Sequence, residues 1–126
     1  MLKNFRTIIS QTLINKLGLD AIMLSRLNGN EPVCIELEGG ADIYITSENE
    51  DLLLIFVEIP IKDIRTIKIK SSEIIEFFIK NNEFIMNVNK DKFISLVYLD
   101  RKDKNLEDNL LDTMVSFNKL SELINS

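Results

Sequence analysis

The side chains best suited to chemistry in this sequence are four carboxylates that interrupt its apolar runs. They are Glu36, Glu38, Asp42 and Glu58. Carboxylates that lie close together can bind Mg²⁺ or Ca²⁺, or can act as an acid and a base in catalysis. The spacing of these four matches no known cation-binding loop. We therefore expect neither a metal ion nor another cofactor.

The other groups on which enzymes depend are missing or have a structural explanation. The sequence contains no histidine, which removes the commonest general base and every Ser-His-Asp or Cys-His arrangement. It has no glycine-rich phosphate loop, and Gly39-Gly40 is explained by a hairpin turn. Cys34 is the single cysteine, and we expect it to be a small buried hydrophobe of a strand. A binding protein is favoured, and an enzyme that uses carboxylates alone is the least favoured class.

Composition and charge narrow the class of protein and its partners. The 126 residues, of which 45% are hydrophobic and 28% charged, suit one globular domain spanning residues 1–126. A net charge of −5 repels phosphate backbones, and no basic stripe reverses this, so nucleic acid is not an expected partner.

The same evidence suggests a compartment. A single cysteine suits a reducing environment, and no stretch approaches the ~18 apolar residues of a membrane helix. The first residues lack the pattern of a signal peptide, because polar residues interrupt every apolar run. We expect a cytoplasmic protein without membrane insertion.

The run LLLIFVEI, from Leu52 to Ile59, predicts a buried central strand, because it is short and rich in β-branched and aromatic residues. It is apolar on both faces. Pairing Ile45 with Ile55 places one set of side chains towards the core, namely Leu53, Ile55, Val57 and Ile59. The opposite face then carries Leu52, Leu54, Phe56 and Glu58, and must meet something besides that core.

Two alternating runs, VCIELE and ADIYITS, predict the strands that precede it. The apolar alternation requires an odd loop, most simply Gly39 to Ala41, which sets Leu37 opposite Ile43 and Ile35 opposite Ile45. The outward residues then form three rows. The first is Cys34, Thr46 and Leu54, the second Glu36, Tyr44 and Phe56, and the third Glu38, Asp42 and Glu58. The acidic third row is either a solvated rim of the sheet or part of a binding edge.

Apolar residues at helical spacing predict helices at both ends of the chain. The stripes are Leu2, Phe5, Ile9, Leu13 and Leu17 over residues 3–17, and Leu106, Leu110, Met114, Phe117, Leu120 and Ile124 near the C-terminus. Between them, the sequence from Pro60 to Lys70 predicts a connector or an edge strand. Ser71 or Ser72 then caps a helix that ends near Lys80, and a second hairpin turns at Asn89 to Asp91. This hairpin matches Phe84, Met86 and Val88 with Ile94, Leu96 and Tyr98.

The predicted fold class is therefore α+β, in the order α-β-β-β-α-β-β-α, with helices packed on a twisted antiparallel sheet. The helix from Ser71 to Lys80 is apolar on nearly all sides, so it needs cover on two sides. A second copy of the chain would supply the second cover, and ordinary core burial within one chain is the alternative.

This order of elements resembles the type III secretion chaperones, in particular the multi-effector branch of the invasion protein B and surface-presentation protein K type. The resemblance rests on the meander IELEGGADIYITSENEDLLLIFVEI, on IKIKSSEIIEFFI and on the closing amphipathic helix. It implies a homodimeric, ATP-independent chaperone that holds the N-terminal chaperone-binding segment of a secreted effector in extended form. A dimeric α+β adaptor or stabiliser of another cytosolic protein remains the alternative.

Two sets of residues follow as candidate sites. The expected dimer interface comprises Ile74, Ile75, Phe77, Phe78, Phe84 and Met86. The expected effector-binding surface comprises Phe5, Ile9, Leu13, Tyr44, Leu54 and Phe56. Ordinary core packing is favoured over binding for the three helix residues, and both interpretations stay open for the three sheet residues.

Overall fold

The computed structural model describes residues 33–37, 39–89 and 91–125. Within this part the chain forms an α+β domain with one open antiparallel sheet, as the sequence predicts. The predicted helix over residues 3–17, and with it Phe5, Ile9 and Leu13, lies outside the described residues, as does Glu38.

The sheet has five strands in the order β1-β2-β3-β5-β4, and every neighbouring pair is antiparallel. The strands are β1 (Val33–Glu36), β2 (Asp42–Ser47), β3 (Leu52–Pro60), β4 (Ile85–Val88) and β5 (Lys92–Asp100). Three helices accompany them: α1 (Ile64–Ile69), α2 (Ser71–Lys80) and α3 (Leu106–Asn125). The apolar run that predicts the central strand therefore lies at the centre of the sheet, paired on both sides.

One face of the sheet, here called the inner face, forms the core. Its β3 residues are those predicted to point inward, and all four are fully buried: Leu53, Ile55, Val57 and Ile59. Helix α3 contributes its whole predicted stripe to the same cluster. The stripe residues are buried along the length of the helix: Leu106, Leu110, Met114, Phe117, Leu120 and Ile124. This packing removes the apolar side of a helix and one face of a sheet from water together.

The predicted pairing of β2 with β3 is confirmed, since Ile45 lies opposite Ile55. The predicted pairing of β1 with β2 is wrong by two residues, because Ile35, not Leu37, lies opposite Ile43. The pair that closes the turn is Leu37 and Ala41, with the Leu37 amide donating to the Ala41 carbonyl at 2.8 Å, in place of the predicted Glu38 and Asp42. Gly39 and Gly40 both have positive φ, which glycine adopts without steric cost. A shift of two keeps every side chain on its predicted face.

The register of the second hairpin differs from the prediction by an odd number of residues. An odd shift moves the side chains of β4 to the opposite face of the sheet. Met86 lies opposite Ser95 and Val88 opposite Phe93, so the β4 side chains do not match Ile94, Leu96 and Tyr98 as expected. Four residues separate the paired Val88 and Phe93, because the Asn89 side-chain oxygen accepts hydrogen bonds from the amides of Asp91 and Lys92. Such Asx turns let a side chain shape the backbone locally. Met86 and Val88 consequently share the side of Phe93 and Ser95.

The segment predicted to be a connector or an edge strand contains helix α1. Asp63 caps it, with its carboxylate accepting from the Arg65 amide at 3.0 Å and pairing with the Arg65 guanidinium at 2.9 Å. The cap stabilises the start of the helix, although the alternation of isoleucine and lysine in this segment favours a strand. Lys70 separates α1 from α2 and is the N-cap residue of α2, in place of the expected serine.

No helix in residues 33–37, 39–89 and 91–125 is long and apolar enough to cross a membrane.

Replacing Ile55 by alanine should lower the free energy of unfolding by about 2 to 5 kcal/mol, because it removes packed atoms from the core. Leu54→Ala, one residue away on the opposite face, is the matched control and should cost at most about 1 kcal/mol. Urea unfolding followed by circular dichroism measures both. Equal losses would show that both faces of β3 are core.

Candidate binding surface on the sheet

The opposite side of the sheet, here called the outer face, carries an apolar row that crosses all five strands. The row consists of the cross-strand neighbours Cys34, Tyr44, Phe56, Leu96 and Ile85. At its centre the rings of Tyr44 and Phe56 stack, with centroids 4.9 Å apart and planes 17° apart. Stacked aromatic pairs are rigid and offer a large apolar contact area.

A second row widens this surface along β2, β3 and β5. It consists of Thr46, Leu54 and Tyr98. Tyr98 is 46% exposed and Ile85 is 52% exposed, whereas Tyr44, Leu54, Phe56 and Leu96 are half-buried. Among the described residues, none of the apolar outer-face side chains belongs to the core cluster or packs against it. Contiguous apolar surface outside the core of a small domain indicates an interaction site.

Three of the predicted site residues, Tyr44, Leu54 and Phe56, are therefore brought together on the outer face. Cys34 joins them, although it was expected to be buried: it is exposed because it points outward beside Tyr44. Sequence reasoning missed Leu96, Ile85 and Tyr98. The alternation in β5 predicts that Leu96 and Tyr98 share one face, but their position beside Phe56 and Leu54 depends on strand order.

One end of the outer face is acidic. Glu36, Asp42 and Glu58 lie side by side on β1, β2 and β3, and we call them the acidic row. The predicted row had Glu38 in place of Glu36; the two-residue shift of β1 accounts for the difference. Lys92 compensates part of this charge, because its ammonium nitrogen lies 2.9 Å from a carboxylate oxygen of Glu58.

Within the acidic row, the pKa of the middle residue, Asp42, is changed. Partial burial, and then the charges of Glu36 and Glu58, raise the pKa of Asp42 above its ordinary value of 3.8, while Lys92 opposes them. Burial and the nearby Asp42 carboxylate also raise the pKa of the Cys34 thiol above 9.0. Cys34 is therefore protonated at neutral pH and is not an activated nucleophile.

The described residues contain no group of three or more acidic, cysteine or histidine side chains arranged to hold a metal ion. The expectation that the protein uses no metal or other cofactor stays a prediction.

A second set of exposed apolar residues lies on α2 and β4. Ile75, Ile79 and Met86 are 60%, 70% and 53% exposed. Ile75 and Met86 belong to the predicted dimer interface, and their exposure differs from that of its other members. Ile74 is only 4% exposed and belongs to the core of its own chain, because the inward side of α2 is the side that meets the sheet.

The three aromatic residues of that predicted interface link α2 to the core. The ring of Phe78 lies 6.0 Å from that of Phe93, and the ring of Phe84 lies 5.0 Å from that of Phe117. Phe77 contacts both Phe78 and Phe84. All three are half-buried, so they present only part of their surface to a partner.

Sequence reasoning left Ile79 out of the interface, although its spacing of four from Ile75 places both on one side of the helix. Strand β4 is an edge strand whose four residues are all exposed. Its sequence, IMNV, contains no charge or proline of the kind that protects an edge from pairing.

Replacing Asp42 by asparagine should raise the free energy of unfolding at pH 7 by a few tenths to about 1 kcal/mol, because it removes like-charge repulsion within the acidic row. The folded state binds the Asp42 proton more tightly than the unfolded state does, so the parent gains stability as the pH falls from the raised pKa towards 3.8. The advantage of the variant should therefore shrink over that window. Urea unfolding at several pH values measures it.

The matched control is Asp112→Asn on the exposed side of α3, which should change the stability by less than about 0.5 kcal/mol at any pH. A variant at position 42 that is less stable than the parent at pH 7 would show that the carboxylate makes a favourable contact.

Comparison with known proteins identifies no family for this chain. No protein-family model matches the sequence, and no curated protein is similar to it.

Proposed function

We propose that this protein is a cytoplasmic, ATP-independent chaperone that binds the N-terminal chaperone-binding segment of a secreted effector, here called the client. It keeps that segment extended and competent for secretion, and it acts as a homodimer. The observation that carries the proposal is the apolar row, which crosses every strand of the sheet on the side away from the core.

An extended client has a particular physical requirement. A disordered segment loses conformational entropy when it binds, so it needs several apolar anchors spread over a long surface. Five strands spaced about 4.8 Å apart give a row about 19 Å long, which matches roughly six residues of extended chain. The outer face offers anchors at each strand in that distance, with the Tyr44 and Phe56 stack at the centre.

The contrast between the two sides of the sheet supports binding over core packing. The inner-face residues of β3 are fully buried in the core cluster, whereas the outer-face residues of the same strand are half-buried and separate from that cluster. Leu54 and Phe56 thus serve as binding residues in this proposal, and their loss should not remove core contacts.

In this proposal the homodimer forms through the exposed apolar residues of α2 and β4. Ile75 and Ile79 extend from the side of α2 that faces away from the core, and Met86 is exposed on the neighbouring strand. An isologous contact about a twofold axis would cover the same patch on both chains. This surface and the outer face lie on different sides of the domain, so one chain can engage its copy and a client together.

The variant Ile75→Asp/Ile79→Asp should be monomeric, because dimer formation would bury a charge in an apolar contact. Burying a large apolar side chain contributes roughly 1.5 to 3 kcal/mol, so the dimer affinity should fall by at least about tenfold. Sedimentation equilibrium measures it. Both residues are exposed in the single chain, whereas charging half-buried Phe78 would also disturb its contact with Phe93.

Val115→Asp is the matched control, since Val115 is exposed on α3; it should leave the dimer intact. A parent chain that remains monomeric at tens of micromolar, or a double variant that remains dimeric, would contradict the proposed interface.

Replacing Tyr44 and Phe56 by alanine together should abolish capture of the client with little loss of fold. The test purifies the tagged parent from its own cells, identifies the proteins bound to it, and repeats the capture with the variant and with Val115→Ala as control. Thermal unfolding is recorded for each. The N-terminal segment of a secreted protein should be held by the parent and the control, and lost by the double variant.

Cys34 provides an independent readout, because it is the single cysteine and lies at the end of the apolar row. A bound client should slow alkylation of its thiol by a maleimide. A folded cytosolic enzyme on the parent would favour the adaptor instead. Unfolding of the double variant would assign Tyr44 and Phe56 to the core.

A further inference from the structure

The outer face is asymmetric in charge, and this bears on which segments it accepts. The acidic row lies one outward position along the strands from the apolar row, a separation of about 6.6 Å. A lysine or arginine side chain in a segment lying on the apolar row would reach that distance. The charge therefore lies where it can act on a bound segment.

Two of the three carboxylates are available for such a contact. Glu58 is held by Lys92 at 2.9 Å, whereas no ion pair joins Glu36 or Asp42 to another described residue. Burial is the largest cause of the raised pKa of Asp42, and the charges of Glu36 and Glu58 add to it more than Lys92 opposes it. A cation placed beside both would relieve their repulsion and gain two favourable interactions.

The opposite end of the face also carries carboxylates, but Lys102 lies among Asp51, Asp100 and Glu50. There Asp51 pairs with the Lys102 ammonium at 2.8 Å, and the Arg101 guanidinium donates to the Ser47 hydroxyl at 3.0 Å. Cations thus already lie among the carboxylates at that end. Glu36 and Asp42 have no such ion pair among the described residues, so a basic residue of a bound segment can pair with them.

We propose that the outer face selects extended peptide segments in which apolar side chains are accompanied by an arginine or lysine, with the cation lying against Glu36 and Asp42. This inference rests on the proposed function in taking the outer face as the client site. It adds a charge requirement that apolar anchorage alone does not impose.

The probe is a displayed library of random peptides about 12 residues long, which can span the sheet when extended. Peptides are kept if they bind the parent and fail to bind Tyr44→Ala/Phe56→Ala, so that only ligands of the outer face remain. Arginine and lysine should be enriched among them. The same selection on Glu36→Gln/Asp42→Asn should retain the apolar residues and lose the basic enrichment.

Individual peptides then give a quantitative test by calorimetry. The dissociation constant of a basic peptide should rise about threefold to tenfold on Glu36→Gln/Asp42→Asn at low salt. The difference should disappear in 1 M NaCl, where the screening length is about 3 Å. Replacing the basic residue of the peptide by glutamine should remove the sensitivity to the variant.

The matched control is Asp112→Asn/Glu122→Gln, two exposed positions of α3 whose replacement changes the net charge by the same amount. Equal weakening by this control would overturn the inference in favour of general attraction to an acidic chain. So would selected peptides without basic enrichment, or a library from which none depends on Tyr44 and Phe56.

The charge requirement and the chaperone proposal can fail independently of each other. Peptides that depend on Glu36 and Asp42, together with a native partner that ignores the outer face, would support the charge requirement and overturn the chaperone proposal. Native clients that bind through Tyr44 and Phe56 with the same affinity to the parent and to Glu36→Gln/Asp42→Asn would support the chaperone proposal and overturn the charge requirement.

Discussion

Strand β3 is the constraint on which the rest of the structure depends, because it is apolar on both faces and lies at the centre of the sheet. Its inward side chains share the core cluster with the stripe of α3 and with Ile74 of α2, and they are completely removed from water. Its outward side chains join the apolar row, which the described core does not include. In the isolated domain only the inward face of such a strand is fully buried, so only that face contributes its full apolar burial to stability. The other face retains apolar surface that a partner can cover.

The register between neighbouring strands determines which residues lie side by side on the outer face. The pairing of Ile45 with Ile55 sets Tyr44 against Phe56 and Asp42 against Glu58, so stacking and charge repulsion arise from the same alignment. The strand β1 then adds Cys34 to the apolar row and Glu36 to the acidic row. Lys92, more than thirty residues away in sequence, reaches Glu58 only because β5 lies beside β3. Apolar anchorage and negative charge thus occupy neighbouring positions on one face.

The exposed side of α2 has a different origin. This helix has more apolar residues than one side can hold, so the sheet covers Ile74 while Ile75 and Ile79 remain exposed. The adjacent edge strand β4 carries exposed apolar residues without protective charges. Its Ile85 ends the apolar row on the outer face, whereas Met86 points to the other side. Strand β4 therefore exposes apolar side chains on both faces of the sheet.

The sequence by itself determined which side chains point inward on β2 and β3, the buried stripe of α3 and the α+β class, because apolar periodicity follows directly from the geometry of strands and helices. It also placed Tyr44, Leu54 and Phe56 on one face. Only the tertiary structure decided the neighbours. The turn at Gly39 and Gly40 shifted β1 by two residues, the Asx turn at Asn89 reversed the side of Met86, and the Asp63 cap made a helix of an alternating segment. Each outcome depends on local hydrogen bonds and on strand order, which periodicity does not encode.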